Sequence, residues 1–437
     1  MDEITIATTI AVAIIFVLMA LGTPVFAALG LAGVTGIVII EDFGFVLNRL
    51  KTFAYSQSAS YLLTVIPLFI LMGAFAHHAG IGRRLFDVAR KWVGHLPGGL
   101  AMSSVLTCAG FAATSGSSVA TAATVGSVAI PEMHKAGYDP RLSTGAVAAG
   151  GVLGVLIPPS VLLIFYAALT EVSAGKMLMA GIVPGVLSTL IFMIGIWFIS
   201  THIQSQTTSV PERWSVRLLS LFDAWQVMLL FVFVLGGIYL GFVTPTEAGA
   251  IGAFVAFLML LLSKEARPEL KSRLKESFRS SITTTVMILM TMVGAGIFSY
   301  FLSLAQIPQS IAQFVSQVDV PPLFIIFLLL LIYFPLGMFL DAFSMLVITL
   351  PIMYPTVVSL GFDPIWFGIL CVKMCEIGLI TPPVGLNVYV IAGIDRKTPL
   401  EKIFSGAWWF VGMEVVTTAL LFFFPVIVTW LPDTMVK

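Results

Sequence analysis

Apolar runs of about 20 residues, each enough for one helix to cross a bilayer core of about 30 Å, recur along this chain between Gly, Pro and charged breaks. They lie near residues 4–22, 24–41, 59–79, 141–170, 177–203, 222–243, 245–263, 280–303, 363–394 and 404–430. Each predicts a spanning helix. Residues 98–133 and 322–357 follow another pattern, in which a polar or Gly-containing interruption divides the run into two pieces, each too short to cross comfortably. Interrupted backbone at membrane depth is tolerated only where protein or water covers it, so these regions predict re-entrant helical hairpins. The runs 141–170 and 363–394 carry Pro-Pro pairs and predict broken helices.

An internal repeat orders these elements. Pro131, Gly137-Tyr138-Asp139-Pro140 and Pro158-Pro159 recur as Pro355, Gly361-Phe362-Asp363-Pro364 and Pro382-Pro383, at a constant displacement of 224 residues. Thr23-Pro24 and Thr244-Pro245 extend the match towards the start of each half, at a displacement of 221. The first repeat is therefore 1–203, a polar cytoplasmic linker 204–220 follows, and the second repeat is 221–437. The first repeat holds five net spans, and an odd number turns the second copy upside down.

Charge placement tests that inversion, because Lys and Arg concentrate in cytoplasmic loops. Arg83, Arg84, Arg90 and Lys91 follow the third span, whereas the equivalent stretch 307–315 has no charge. Arg396, Lys397 and Lys402 stand opposite a region, 171–178, with Lys176 alone. Both termini then face outward. Arg49 and Lys51 fall on the wrong side unless they lie on an interfacial helix. Segments 83–95 and 308–317 have the character of interfacial arms.

Composition agrees with a chain whose solvent is lipid: 59% of its 437 residues are hydrophobic and 10% charged, against about 25% charged in soluble domains, and mean hydropathy is +1.05. That leaves no room for a separate soluble domain. Asp2 and Glu3 precede the first run in place of a basic n-region, so it is expected to be a retained span. A net charge of zero gives no electrostatic footprint for nucleic acid. Cys108, Cys371 and Cys375 are expected to be packing residues. No nucleotide-binding loop, HExxH or GxSxG motif is present, which argues against an enzyme or a self-contained ATP-driven pump.

The candidate chemistry lies where the interruptions fall. Proline has no N–H and leaves the carbonyl four residues earlier without its helical partner. Such a break offers oxygens to a cation, while the N-terminus of the next helix favours an anion. The candidates for Na⁺ are Ser117, Ser118, Thr121, Gly154 and Pro158 in the first repeat, with Gly337, Asp341, Ser344, Gly378, Thr381 and Pro382 in the second. Those for an anionic substrate are Ser115, Gly116, Pro159, Ser160, Gly385 and Asn387. Small residues also allow close helix packing without any ligand. Asp341 aligns with Ser117 and is either an ion ligand or a helix cap. Lys373 and Glu376 predict a buried structural pair, and Glu247 a helix-start carboxylate.

The stretches Phe111-Ala112-Ala113-Thr114-Ser115-Gly116-Ser117-Ser118, Gly137-Tyr138-Asp139-Pro140, Ile157-Pro158-Pro159-Ser160, Thr244-Pro245-Thr246-Glu247-Ala248-Gly249 and Thr381-Pro382-Pro383-Val384-Gly385 closely resemble the large membrane subunit of TRAP transporters, the DctM type. The resemblance covers nearly the whole chain. It implies an all-α elevator-type importer of organic anions in a bacterial inner membrane, driven by Na⁺ and independent of ATP. It also implies two partners: a small four-helix membrane subunit of DctQ type, expected as a separate polypeptide, and a periplasmic substrate-binding protein of DctP type. A self-sufficient Na⁺/carboxylate symporter of related two-hairpin architecture and, more remotely, a channel are the competing expectations.

Overall fold

The computed structural model describes residues 3–41, 43–59, 61–202, 211–317 and 320–435, which form helices and turns without a strand. The first half runs through α1 (Glu3–Ala20), α2 (Val25–Ile40), α3 (Phe43–Ser58), α4 (Tyr61–His78), α5 (Ile81–Val93), α6 (Gly99–Ser115), α7 (Ser118–Lys135), α8 (Pro140–Leu156), α9 (Val161–Thr170) and α10 (Ala174–His202). The second half runs through α11 (Trp214–Tyr239), α12 (Pro245–Leu262), α13 (Arg267–Leu304), α14 (Ile307–Gln317), α15 (Pro322–Gly337), α16 (Ala342–Ser359), α17 (Pro364–Ile380), α18 (Leu386–Ile394) and α19 (Leu400–Phe423). A short α20 (Val426–Asp433) follows.

Among the described residues eight helices are long and apolar enough to cross a membrane, and α8 with α9, bent by 42°, makes a ninth. One of the eight is α16, whose 18 residues correct the expectation that both arms of the second interrupted region are too short. Two boundaries also move. The polar stretch taken as a linker is helical from Trp214 onward, because Arg217 and Ser220 turn inward and Trp92 Nε1 donates to Arg217 O at 3.2 Å; residues 203–210 lie outside the described residues. The span expected at 280–303 extends back to Leu270 as one helix of 35 residues. At about 1.5 Å per residue this exceeds the bilayer core. Its extension is anchored by Arg273, which donates to His78 O at 2.9 Å and so serves a free carbonyl at the end of α4.

The repeat reappears as matched local structure. Gly137 and Gly361 take φ of 76° and 78°, a left-handed turn that glycine enters without Cβ strain. Two residues on, Asp139 and Asp363 each accept backbone N–H bonds at the start of a helix whose first residue is proline. Ser117 and Asp341 are the N-caps of α7 and α16. Both Pro-Pro bonds, 158–159 and 382–383, are cis. Thr244 opens α12 with a capping box to Glu247, which is therefore the expected helix-start carboxylate.

Small residues set the packing. A Cβ on Gly33 would lie 2.8 Å from Phe298 N, so α2 and α13 meet backbone to backbone; one on Gly145 would lie 2.6 Å from Gly406 C, where α8 meets α19. Helices α1, α2, α4, α12 and α13 pack on one another, while α8 is enclosed by α6, α7, α17, α18 and α19. Every residue from Leu142 to Leu156 is buried. The segments expected to act as arms fall on α5, an amphipathic helix that buries Ile81, Phe86, Val88 and Ala89 beneath Arg83, Arg84, Asp87, Arg90 and Lys91, and on α14. Lys51 lies exposed on a helix of its own, α3, whose span also includes position 49.

The equivalence of the two aspartate caps has a measurable consequence. Asp139→Ala and Asp363→Ala each remove the acceptor of helix-start N–H groups and should each lower stability by about 1 kcal/mol, with Asn largely restoring it. Thermal unfolding of the purified protein in lipid nanodiscs measures this; no loss in either alanine variant would contradict the capping role.

Candidate functional site

In each half the turn between two helices is brought against the proline break of that same half. In the first, Gly116 and Ser117 connect α6 to α7, and Gly154 lies beneath them: an added Cβ there would stand 2.6 Å from both Ser117 O and Thr121 Oγ1. A Cβ on Gly116 would stand 2.7 Å from Pro159 O. Thr121 Oγ1 donates to Ser117 O at 2.7 Å and lies 2.7 Å from Ser115 Oγ. Ser118 begins α7 and is buried. Pro158 has no N–H to offer the carbonyl of Gly154. Hydroxyl and carbonyl oxygens thus converge on the first break, and the partly positive N-termini of α7 and α9 start there.

The second half repeats the arrangement with different side chains. Gly337, ending α15, meets Gly378 of α17 so closely that a Cβ on either glycine would approach the other's Cα to within 2.6–2.7 Å. Asp341 caps α16 by accepting from Phe343 N at 3.0 Å and Ser344 N at 3.3 Å, and it also receives the Ser344 hydroxyl. It is therefore a helix cap, and its other oxygen is held by Ser344. Thr381 is buried and donates to Ile377 O at 2.6 Å, with Pro382 beside it in the break. Pro382 likewise has no N–H for Gly378 O, which accepts from Thr381 N at 3.2 Å instead.

The anion candidates divide more sharply. Ser160 is committed to the fold, since its hydroxyl donates to Val155 O at 2.5 Å and accepts from Leu163 N at 3.2 Å as the cap of α9. Ser115, Gly116 and Pro159 stay together at the first tip and break. Gly385, at φ 55°, starts α18 and is hemmed in by Phe404. Asn387 crosses to the other half: its Nδ2 donates to Ala148 O at 3.2 Å, and Gly151 leaves room for it. Its Oδ1 is buried with no hydrogen-bond partner among the described residues. A buried acceptor left open in this way is costly.

Sequence spacing missed two contacts. Gly73 of α4 seats the first tip, since a Cβ there would come 2.6 Å from Ser115 O. Glu414 of α19 joins Lys373 and Glu376, enlarging the predicted pair to a buried triad. A cavity of about 640 Å³ between α9, α13, α14 and α16, lined by Glu171, Ser299, Tyr300, Gln309 and Tyr354, contains none of the predicted site residues.

The family model described as "Tripartite ATP-independent periplasmic transporter, DctM component" matches residues 12–427. A relative from Pseudomonas aeruginosa, the C4-dicarboxylate TRAP transporter large permease protein DctM, is 39% identical over 93% of this chain and 92% of its own. The isethionate TRAP transporter permease protein DctMQ of Oleidesulfovibrio alaskensis is 34% identical over 86% of this chain and 59% of its longer sequence. Among solved structures, the YdaH transporter of Alcanivorax borkumensis superimposes with a TM-score of 0.61 at 14% identity, covering 87% of this chain and 88% of that one. That likeness concerns the fold alone.

The glycine contacts at the breaks predict an asymmetric response to a single methyl group. Gly154→Ala and Gly378→Ala force backbone apart and should each cost about 1–3 kcal/mol, whereas Gly393→Ala, with nothing within 4 Å of the added carbon, should be neutral or slightly stabilising. Equal melting temperatures for all three variants would contradict the close approach of tip and break.

Proposed function

The chain belongs to the DctM family of tripartite ATP-independent periplasmic transporters, and from that premise we propose that it is the large permease of an importer that moves an organic acid anion into a bacterium by Na⁺ symport. One observation carries the proposal: in both halves a hydroxyl- or carboxylate-bearing helix turn lies on a proline break, bringing together oxygens of the kind hard cations bind. Ser117, Ser118, Thr121 and Gly154 would supply one Na⁺ site. Gly337, Asp341, Ser344, Gly378 and Thr381 would supply the other, Asp341 acting through its cap geometry. The acid would bind between them, against the α7 and α9 N-termini, with Asn387 donating to it through the second N–H of Nδ2. Its class follows the printed names of the relatives, C4-dicarboxylate and isethionate, both anions.

In this reading α6–α9 and α15–α18 form the moving body, and α1, α2, α4, α12 and α13 the fixed one. α5 and α14 connect them, and Gly73 is the seat against which the first tip slides. The first half is inverted relative to the second, both interrupted regions are re-entrant, and both termini face the periplasm of an inner membrane. The cavity beside Gln309 then opens outward between the two bodies. A binding protein in the periplasm delivers the acid, and a small membrane subunit completes the fixed body.

Three measurements test the proposal. Impermeant cysteine reagents should label position 309 from outside intact cells and spare positions 84 and 397; labelling of all three would end the inverted arrangement. Ser117→Ala and Thr381→Ala should each raise the Na⁺ concentration for half-maximal uptake several-fold at normal abundance, and unchanged Na⁺ activation in both would remove these residues from the sites. In proteoliposomes under an inward Na⁺ gradient, uptake should require this chain, the small subunit and the loaded binding protein together. Robust uptake of an organic acid by this chain alone would establish a self-sufficient symporter instead.

A further inference from the structure

A groove of about 360 Å³ lies between α5, α6 and α11, lined by Val88, Trp92, Leu106, Leu221, Ala224 and Met228 among others. Its side chains are apolar apart from Trp92 Nε1, which donates to Arg217 O at 3.2 Å. That bond sets Arg217 at the Trp92 end of the groove, with Leu221 one helical turn further along α11. Arg217 is 7% exposed. Its Nη2 stands 3.4 Å from His95 Nδ1, and its guanidinium lies 5.1 Å from the centre of the Trp214 ring. Neither neighbour is an anion. Among the described residues no carboxylate forms an ion pair with Arg217, and its Nε is buried without a hydrogen-bond partner. Asp223 of α11 pairs instead with Lys91, at 3.5 Å. Arg213, four residues before Arg217, is exposed and also has no ion pair among the described residues. Around this end Trp214, Leu218, Leu219 and Phe222 are exposed apolar residues of the same helix, as on a surface that faces lipid.

We propose that this groove holds an acidic phospholipid, with one acyl chain lying between α5 and α11 and the headgroup phosphate at Arg217 and Arg213. A guanidinium keeps its charge in any surroundings, and one drawn out of water without an anion is costly. A phosphate supplies that anion, and the planar fork of guanidinium donors suits its oxygens. Polarity runs the same way in groove and ligand: charge gathers at one end and the length is apolar. Free phosphate would answer the arginines and leave the groove unfilled, whereas an apolar helix of a partner protein would fill the groove and leave the arginines without an anion. Trp92 and Trp214 meet edge to face at 6.4 Å beside the arginines, and tryptophan gathers at the level of lipid headgroups. A lipid bound there would fasten α5 to α11. Where α5 is the connecting arm proposed above, the lipid sets how firmly that arm is held, but its binding does not depend on that reading.

The test takes the purified full chain, stripped of lipid in a neutral detergent, and follows thermal unfolding as phosphatidylglycerol, phosphatidylcholine or inorganic phosphate is added. Phosphatidylglycerol should raise the melting temperature saturably, and the other two should not. Arg217→Gln should weaken the half-saturating concentration by about tenfold or more, the scale of a lost charge-assisted hydrogen bond. Arg213→Gln, at an exposed position outside the core, should weaken it several-fold and decides the matter if the Arg217 variant does not fold. Phosphatidylglycerol carrying a photoreactive group in its acyl chain should label the groove residues of α5 and α11. No shift with phosphatidylglycerol, an equal shift with phosphatidylcholine or phosphate, labelling that avoids the groove, or wild-type lipid response in Arg213→Gln would each overturn the proposal. So would loss of the label on adding the small membrane subunit, which would assign the groove to that partner.

Discussion

The structure depends on a single backbone constraint: a buried helix interior cannot accept proline without surrendering a hydrogen bond. Pro158-Pro159 and Pro382-Pro383 impose that loss in two helices whose surroundings are almost wholly buried. The freed groups must find partners other than solvent. Val155 O finds the Ser160 hydroxyl and Gly378 O finds Thr381 N. The neighbouring helix turns, bearing Ser115–Ser118 and Gly337–Ser344, close over what remains. The proposed Na⁺ sites are a consequence of this accounting, because a cation is one further partner for oxygens that a continuous helix would have used internally.

Close approach makes such accounting possible. Gly154, Gly378 and Gly73 let backbone meet backbone where a methyl group would intrude. Since lipid tails compete with apolar side chains on equal terms, contacts of this kind, and not hydrophobic driving force, fix helix against helix in a membrane. Asn387 adds a tie between the halves, and its open Oδ1 shows where that tie is incomplete.

Much of this was legible in the sequence. The constant displacement linking Asp139 to Asp363 and the Pro-Pro pairs marked the repeat, and both aspartates prove to be caps. Ser117 and Asp341 fell on matched caps because a helix start selects side-chain acceptors whatever else the site requires. The boundary at Trp214 was hidden: polar residues before a span resemble a loop until Arg217 is found turned inward. Glu414 was hidden for a different reason. It reaches Lys373 from a helix 41 residues away in sequence, and a lone glutamate in an apolar helix carries no spacing that names its partner. The reach of Asn387 into the first half was equally unreadable, since periodicity assigns a face to a residue and not the helix which that face will meet.

The central claim is that the two tip-and-break junctions bind Na⁺. Equilibrium binding of radioactive sodium to the purified chain in nanodiscs, without partner proteins or substrate, addresses it most directly. The account predicts saturable binding that excess K⁺ does not displace and that the double variant Ser117→Ala/Thr381→Ala weakens by at least about tenfold, roughly 1.4 kcal/mol. Saturable binding unchanged in that variant, or no saturable binding by the wild-type chain, would contradict it.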